Sequence, residues 1–259
     1  MVTALTIAGS DSGGGAGIQA DLKTFAAHGV YGVTAITALT AQNTVSVQGV
    51  LAATPESVRA QIDAVASDIA IHAAKTGMLA TAPIVDAVAD ALRRWAFPHV
   101  VVDPVMVAKS GDTLLDPAAV ERIRLAMLPL ASVVTPNRPE AEVLTGYRIV
   151  TAEDSRAAAR RLVGMGARAV VIKGGHFDGP ELTDLLFDGE AFHEYRHARQ
   201  QTRHTHGTGC TFSAALAAHL ALGVLLPEAV ARTADYVAGA IAHGLAIGHG
   251  HGPLDHFYR

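Results

Sequence analysis

The chain has 259 residues, 50% hydrophobic and 17% charged, with a formal net charge of -4 and a pI near 6.3. That length fits one large α/β domain or two small ones, and the charge balance leaves no basic stripe for phosphate neutralisation, so nucleic acid is excluded as the main partner. The single cysteine leaves no internal disulfide and suits a reducing cytoplasm, and no apolar run reaches the roughly 20 residues of a membrane helix.

Val2–Ala8 reads as a buried strand leading into a glycine-rich turn, Gly9–Gly17. The apolar start lacks a basic segment before it, so a signal peptide is not expected. Ile18–His28 follows as a helix, with Ile18, Leu22 and Phe25 at helical spacing. Tyr31–Thr40 is a strand, and Val45–Ala53 a second short one, expected at an edge. Thr54 and Pro55 form a cap-and-proline helix start, and Val58, Ile62, Val65 and Ile69 give that helix its apolar face. Ala73–Met78 is a brief strand, Pro83–Trp95 a helix, and His99–Asp103 a buried strand. Asp116-Pro117 opens a further helix. Ser132–Thr135 is a strand ending at Pro136-Asn137.

A capping box at Thr151–Asp154 starts a helix to about Met165. Arg168–Lys173 is a strand ending in Gly174-Gly175-His176. Thr183–Asp188 and Ala191–His197 form a strand pair, and helices over about 209–222 and 227–247 close the chain. The alternation predicts an α/β fold, a mostly parallel sheet with helices on both faces, in one domain over 1–259. The pair near 183–197 is the expected departure from simple alternation.

Ligands of open parallel sheets bind beyond the carboxyl ends of the strands. Gly9 and Asp11 follow the first strand, Gln42 and Asn43 the second, Met78 the third and Asp103 the fourth. Asn137 and Glu140 follow the fifth, and Lys173 the sixth. The late stretch His206-Gly-Thr-Gly-Cys210 precedes a strongly helical run. Its amides, with the helix dipole, make an anion hole, and Cys210 at its mouth is expected to have a lowered pKa. The alternative is a glycine-rich turn carrying a small buried cysteine. Asp103, Asn137 and Glu140 suit Mg²⁺, Lys173 suits a phosphate oxygen, and the Gly207–Cys210 amides suit a transferring phosphoryl group.

Other motifs are set aside. No Gly-x-x-x-x-Gly-Lys-Ser/Thr loop is present, and Gly13–Gly17 lacks dinucleotide-turn spacing. Gly9-Ser-Asp11-Ser-Gly13 imitates a nucleophile elbow on the wrong strand. His249, His251 and His256 alternate with glycine and read as a mobile tail, and His204 and His206 as solvated or capping residues.

The stretches Ala4–Lys23, Ile36–Thr44, Lys75-Thr-Gly-Met-Leu79, Val102–Met106 with Ala108–Gly111, Thr135-Pro-Asn137 with Pro139-Glu-Ala141, Lys173–His176 and Thr205–Cys210 resemble hydroxymethylpyrimidine/phosphomethylpyrimidine kinases of thiamine biosynthesis. The resemblance implies a ribokinase-like fold, often dimeric, and two successive ATP- and Mg²⁺-dependent phosphorylations. The first is on the hydroxymethyl oxygen of 4-amino-5-hydroxymethyl-2-methylpyrimidine, the second on the monophosphate. It implies Gln42 against the pyrimidine ring, with Gly9, Asp21, Met78, Val105 and Cys210 nearby. Asp103, Asn137 and Glu140 would face Mg²⁺ and phosphates, Lys173 the nucleotide phosphates, and Gly207, Thr208, Gly209 and Cys210 would form the anion hole. Sugar kinases of the same fold mostly carry a general-base Asp where Cys210 stands. A pyridoxal-type kinase and a non-catalytic vitamin-binding protein are the alternatives.

Overall fold

The computed structural model describes residues 1–106, 117–174 and 179–259. Ala108–Gly111, Asp116 and Gly175-His176, which the sequence singles out, therefore lie outside the described residues. Nine strands form one sheet: β1 (Thr3–Asp11), β2 (Tyr31–Gln42), β3 (Val47–Ala52), β4 (Ala73–Thr76), β5 (Val100–Val102), β6 (Val133–Val134), β7 (Val170–Ile172), β8 (Glu181–Phe187) and β9 (Phe192–Ala198). Their order is β3-β2-β1-β4-β5-β6-β7-β8-β9. The six from β2 to β7 pair in parallel, and the edges are antiparallel, β3 on β2 and β8–β9 on β7. The expected edge strand and the expected antiparallel pair are both present.

Among the described residues, eight α-helices connect and cover the sheet: α1 (Gly17–Ala27), α2 (Pro55–Ala66), α3 (Ala82–Trp95), α4 (Pro117–Arg122), α5 (Arg138–Thr145), α6 (Ala152–Gly164), α7 (Thr208–Ala221) and α8 (Leu226–Ala242). Alternate strand residues feed two cores. Leu5, Ala74, Val102, Val134 and Ile172 pack with α2, α3, α5 and α6 on one face. Ala4, Ala73, Val101, Val133 and Val171 pack with α1, α7 and α8 on the other. Near-continuous apolar strands are what burial on both faces requires. None of the described helices is long and apolar enough to cross a membrane.

The caps read from sequence form. Thr54 accepts from the Ser57 N–H, and Thr151 and Asp154 make a reciprocal box. Helix α5 was not in the predicted element order; Asn137 and Glu140 cap it reciprocally. The last helix ends at Ala242, five residues before the expected end, and Gly244 and Gly248 lie in the loop that follows. The C-terminal stretch is not a loose tail. His251 N–H donates to the Thr44 carbonyl, Leu245 N–H to that of Pro253 and His206 N–H to that of Gly252. His256 is buried and its Nε2 lies 3.0 Å from Thr211 Oγ1.

A buried ion pair joins the first helix to the sheet. Lys75 Nζ on β4 lies 2.9 Å from both carboxylate oxygens of Asp21 on α1, and both side chains are fully buried. Thr6 Oγ1 donates to the same carboxylate at 2.6 Å. Burial pushes the Lys75 ammonium down, but the Asp21 charge and hydrogen bond, together with the other acidic groups nearby, outweigh it and raise its pKa, while burial raises that of Asp21 against the pull of Lys75 and Thr6. The Asp21 carboxylate, expected near the pyrimidine, is thus fully buried and engaged by Lys75 and Thr6. Removing one partner of such a pair leaves an uncompensated charge costing about 3–5 kcal/mol. Lys75→Met is expected to lose that much stability in urea unfolding, and Lys75→Met with Asp21→Asn to recover most of it. A double variant no more stable than Lys75→Met would contradict the pairing.

Candidate active site

The site starts at the two ends of the chain. After β1, Asp11 folds the glycine-rich turn over its own carboxylate. Oδ1 accepts from the Gly13 N–H at 2.8 Å, and Oδ2 from those of Gly15 at 3.0 Å and Ala16 at 2.8 Å. His206 Nε2 lies 3.0 Å from the same Oδ2. Burial raises the Asp11 pKa, but the His206 hydrogen bond and these amides outweigh it and hold the carboxyl below its usual range. A carboxylate so engaged is a structural clasp, consistent with rejecting the nucleophile elbow. His206, expected to be solvated or capping, is buried instead.

Its neighbour Gly207 is the N-cap of α7 and has φ +84°, in the left-handed region. A Cβ there would also collide with the Gly15 carbonyl oxygen. The last loop thus lies directly on the first. The first-turn amides of α7 have no intrahelical acceptors. Thr208 turns its hydroxyl back to the Thr205 carbonyl at 2.8 Å. Gly209 faces the rim: a Cβ there would stand 3.4 Å from Lys173 Nζ and 3.7 Å from Asp103 Oδ2.

The carboxyl ends of β5, β6 and β7 supply the charges. Asp103 is buried and held on three sides. Lys173 Nζ lies 3.0 Å from Oδ1, Thr135 Oγ1 donates to Oδ1 at 3.3 Å, and Ser213 Oγ lies 3.1 Å from Oδ2, sharing its one proton with the Gly209 and Cys210 carbonyls at 3.0 and 3.1 Å. Asn137 and Glu140 begin α5. Asn137 Oδ1 accepts from the Glu140 N–H at 2.9 Å, and Glu140 Oε2 from the Asn137 N–H at 2.8 Å. Burial pushes the Glu140 carboxyl up to about 7, with Lys173 pulling it down and Asp103 pushing it further up. Asn137 is thus the N-cap of α5, with one lone pair of its amide oxygen taken by that bond. Val105 makes a turn with its N–H on the Asp103 carbonyl at 2.9 Å.

On the other side of the mouth, Gly9 and Met78 lie against one another, so a Cβ on Gly9 would stand 2.7 Å from Met78 Cε. Thr37 Oγ1 pins the Met78 carbonyl at 2.6 Å. Gln42 ends β2, with Ser12 Oγ on its carbonyl at 2.7 Å and His206 beside its amide. Met78, Val105, Asp103, Asn137, Glu140, Lys173 and Gly207–Cys210 therefore follow carboxyl ends of strands or begin the helices there, Gln42 is the last residue of β2, Gly9 lies near the end of β1 rather than after it, and Asp21 lies beneath. A cavity of about 230 Å³ behind the turn is lined by Gly13, Lys23, His206 and Phe257. It contains none of the rim's carboxylates.

Two residues depart from expectation. Lys75 was only part of a resembling motif, yet its buried charge acts on Cys210. A lone lysine inside an apolar strand was the available signal. Cys210 was expected to have a lowered pKa. Burial instead pushes its thiol up to about 11, against the opposing pull of Lys75 and the Gly17 N–H that donates to its sulfur. Removal of a thiolate from water outweighs the helix terminus.

The phosphomethylpyrimidine kinase family model matches residues 11–255. Hydroxymethylpyrimidine/phosphomethylpyrimidine kinases of Rhizobium meliloti and Bacillus subtilis are 54% and 51% identical over 259 and 255 residues. The matches span 99% and 98% of this chain and 97% and 94% of theirs. The pyridoxal kinase of Staphylococcus aureus in complex with AMP-PCP and pyridoxal superposes with a TM-score of 0.91 at 37% identity, covering 100% of this chain and 94% of that one.

The thiol makes a direct prediction. Alkylation of Cys210 by iodoacetamide should be slow at pH 7 and rise about tenfold per pH unit up to pH 10, as expected for a thiolate fraction below its pKa. A rate that levels off below pH 8, followed by mass spectrometry, would contradict the raised thiol pKa.

Proposed function

The chain belongs to the phosphomethylpyrimidine kinase family, and on that footing we propose that it moves the terminal phosphate of ATP to 4-amino-5-hydroxymethyl-2-methylpyrimidine. A second ATP then phosphorylates the monophosphate, giving the diphosphate used to build thiamine diphosphate. The observation that carries this reading is the meeting of the α7 amides with Lys173 and Asp103 at one rim.

ATP lies across the late strands, with Lys173 on its phosphates and its terminal phosphate at the amides of Thr208, Gly209 and Cys210. Phosphoryl transfer runs through a loose transition state with charge spread over the equatorial oxygens, so preset donors do most of the work. The pyrimidine lies between Gly9, Gln42, Met78 and Val105. Cys210 keeps its proton near neutral pH and so places the hydroxymethyl oxygen by contact and hydrogen bonding. A loose transition state asks little of a base at the attacking alcohol.

Among the described residues no group of three His, Cys, Asp or Glu forms a metal cage. Mg²⁺ needs only one or two carboxylates and otherwise keeps water and phosphate oxygens. Asp103 and Glu140 offer it two buried carboxylates near one another: burial chiefly, and the Asp103 charge after it, raise the Glu140 pKa, and a cation beside them would offset both. When bound, Mg²⁺ would neutralise charge on the phosphate oxygens. Asn137 supports this group by fixing Glu140.

A homodimer in the cytoplasm is part of the same reading. Exposed Leu39 on β2 and Leu51 on β3 are cross-strand neighbours and offer an apolar patch for it. Pyridoxal phosphorylation is the second reading, favoured by the likeness to a pyridoxal kinase. A non-catalytic vitamin-binding protein would not need the intact charge set of Asp103, Glu140 and Lys173.

Protein, Mg·ATP and the pyrimidine alcohol should yield mono- and diphosphate by mass spectrometry, with kcat/KM above that for pyridoxal. Product from pyridoxal alone would move the chain to the second reading, and no turnover of either ring would refute both. Cys210→Ser should keep kcat within about tenfold, whereas Gly209→Val should lose about 10²–10³, the cost of removing one oxyanion donor elsewhere. A larger loss in Cys210→Ser than in Gly209→Val would make Cys210 the base.

A further inference from the structure

Gln42 ends β2 with its carboxamide between two partners. Oε1 lies 3.2 Å from Thr40 Oγ1, and Nε2 lies 3.3 Å from His206 Nε2. A hydroxyl has one proton, and that of Thr40 has its acceptor in the Ser10 carbonyl at 2.9 Å. Toward Gln42, the Thr40 oxygen therefore accepts. His206 Nε2 faces the Asp11 carboxylate at 3.0 Å, and that carboxylate already receives the Gly13, Gly15 and Ala16 amides. Two bare acceptors at that distance would repel, so Nε2 carries a proton and donates.

The Thr40 side thus requires an N–H from Gln42, and the His206 side requires an oxygen. The two ends of a carboxamide have the same shape and are told apart by their partners. A half-turn about the last side-chain bond of Gln42 meets every requirement. The amide nitrogen then donates to Thr40 Oγ1, and the amide oxygen shares the His206 Nε2 proton with Asp11. One N–H and one lone pair of the carbonyl remain for a ligand, in a fixed order.

We propose that His206 is a positioning residue for substrate recognition: its Nε2 proton sets the order in which Gln42 presents donor and acceptor to the ring. A 4-aminopyrimidine edge needs that order, with ring nitrogen accepting from the amide N–H and the exocyclic amine donating to the amide oxygen. The inference rests on the reading that Gln42 faces the pyrimidine. The His206 ring is held for the task, since a Cβ on Gly15 would collide with its Cδ2 and its backbone N–H is fixed on the Gly252 carbonyl at 3.1 Å.

The test compares His206→Leu, which keeps bulk without a donor, with His206→Gln, whose amide nitrogen restores one. Wild-type turnover of the pyrimidine alcohol, measured first, separates failure of the functional reading from failure of this one. His206→Leu should raise KM for the pyrimidine alcohol about fivefold to tenfold, the worth of one hydrogen bond, with KM for ATP within about twofold. His206→Gln should stay within about threefold of wild type. His206→Leu combined with Gln42→Ala should be no worse than Gln42→Ala alone. Equal rises in both KM values, or full multiplication of the two effects, would overturn the proposal. Should His206→Leu fail to fold, Thr40→Val removes the opposite partner and leaves the Asp11 clasp intact. It should raise the same KM about fivefold, and an unchanged KM would equally overturn the proposal.

Discussion

The structure depends on a backbone contact between two loops that lie almost two hundred residues apart. Gly207 rests on the Gly15 carbonyl where no side chain fits, and the Asp11–His206 hydrogen bond closes the contact from beside it. This juxtaposition brings the N-terminus of α1 and that of α7 to the same place. The Gly17 N–H of one helix holds the sulfur of Cys210 on the other. Were the loops held apart, the α7 amides would face solvent, and Asp103 and Lys173 would have no donors opposite them.

The electrostatics around that contact follow one pattern. Each buried charge has a partner that also spans elements: Lys75 on β4 with Asp21 on α1, Lys173 after β7 with Asp103 after β5. Glu140 is the exception. It shares Lys173 with Asp103, and burial, with the Asp103 charge adding to it, raises its pKa. Charges fixed this way need little reorganisation when a phosphoryl group passes, which is where such sites lower barriers. The same burial that makes them strong works against Cys210, whose thiol goes up rather than down. A positional role fits that thiol better than a base role.

Much of this was legible from residues alone. Apolar runs between glycines and prolines located every strand, and the carboxyl-end rim followed from parallel pairing, so Asp103, Glu140 and Lys173 were placed before any contact was known. Helix α5 escaped because it has only eight residues and Val143 faces outward, 46% exposed, so no apolar period stands out. The C-terminal histidines misled because glycine alternation imitates a loose tail, whereas its backbone bonds to Thr44 and His206 are invisible in sequence. Lys75 with Asp21, and Asp11 with His206, are pairs set by long-range packing: partners 54 and 195 positions apart carry no local signature.

The most direct measurement is a crystal structure with AMP-PCP, Mg²⁺ and the pyrimidine alcohol bound together. The account predicts the terminal phosphate within hydrogen-bond distance of the Gly209 and Cys210 amides, with Lys173 on a phosphate oxygen and the hydroxymethyl oxygen in line. A terminal phosphate seated instead on the Gly13–Gly15 amides, with the α7 amides facing water, would contradict it.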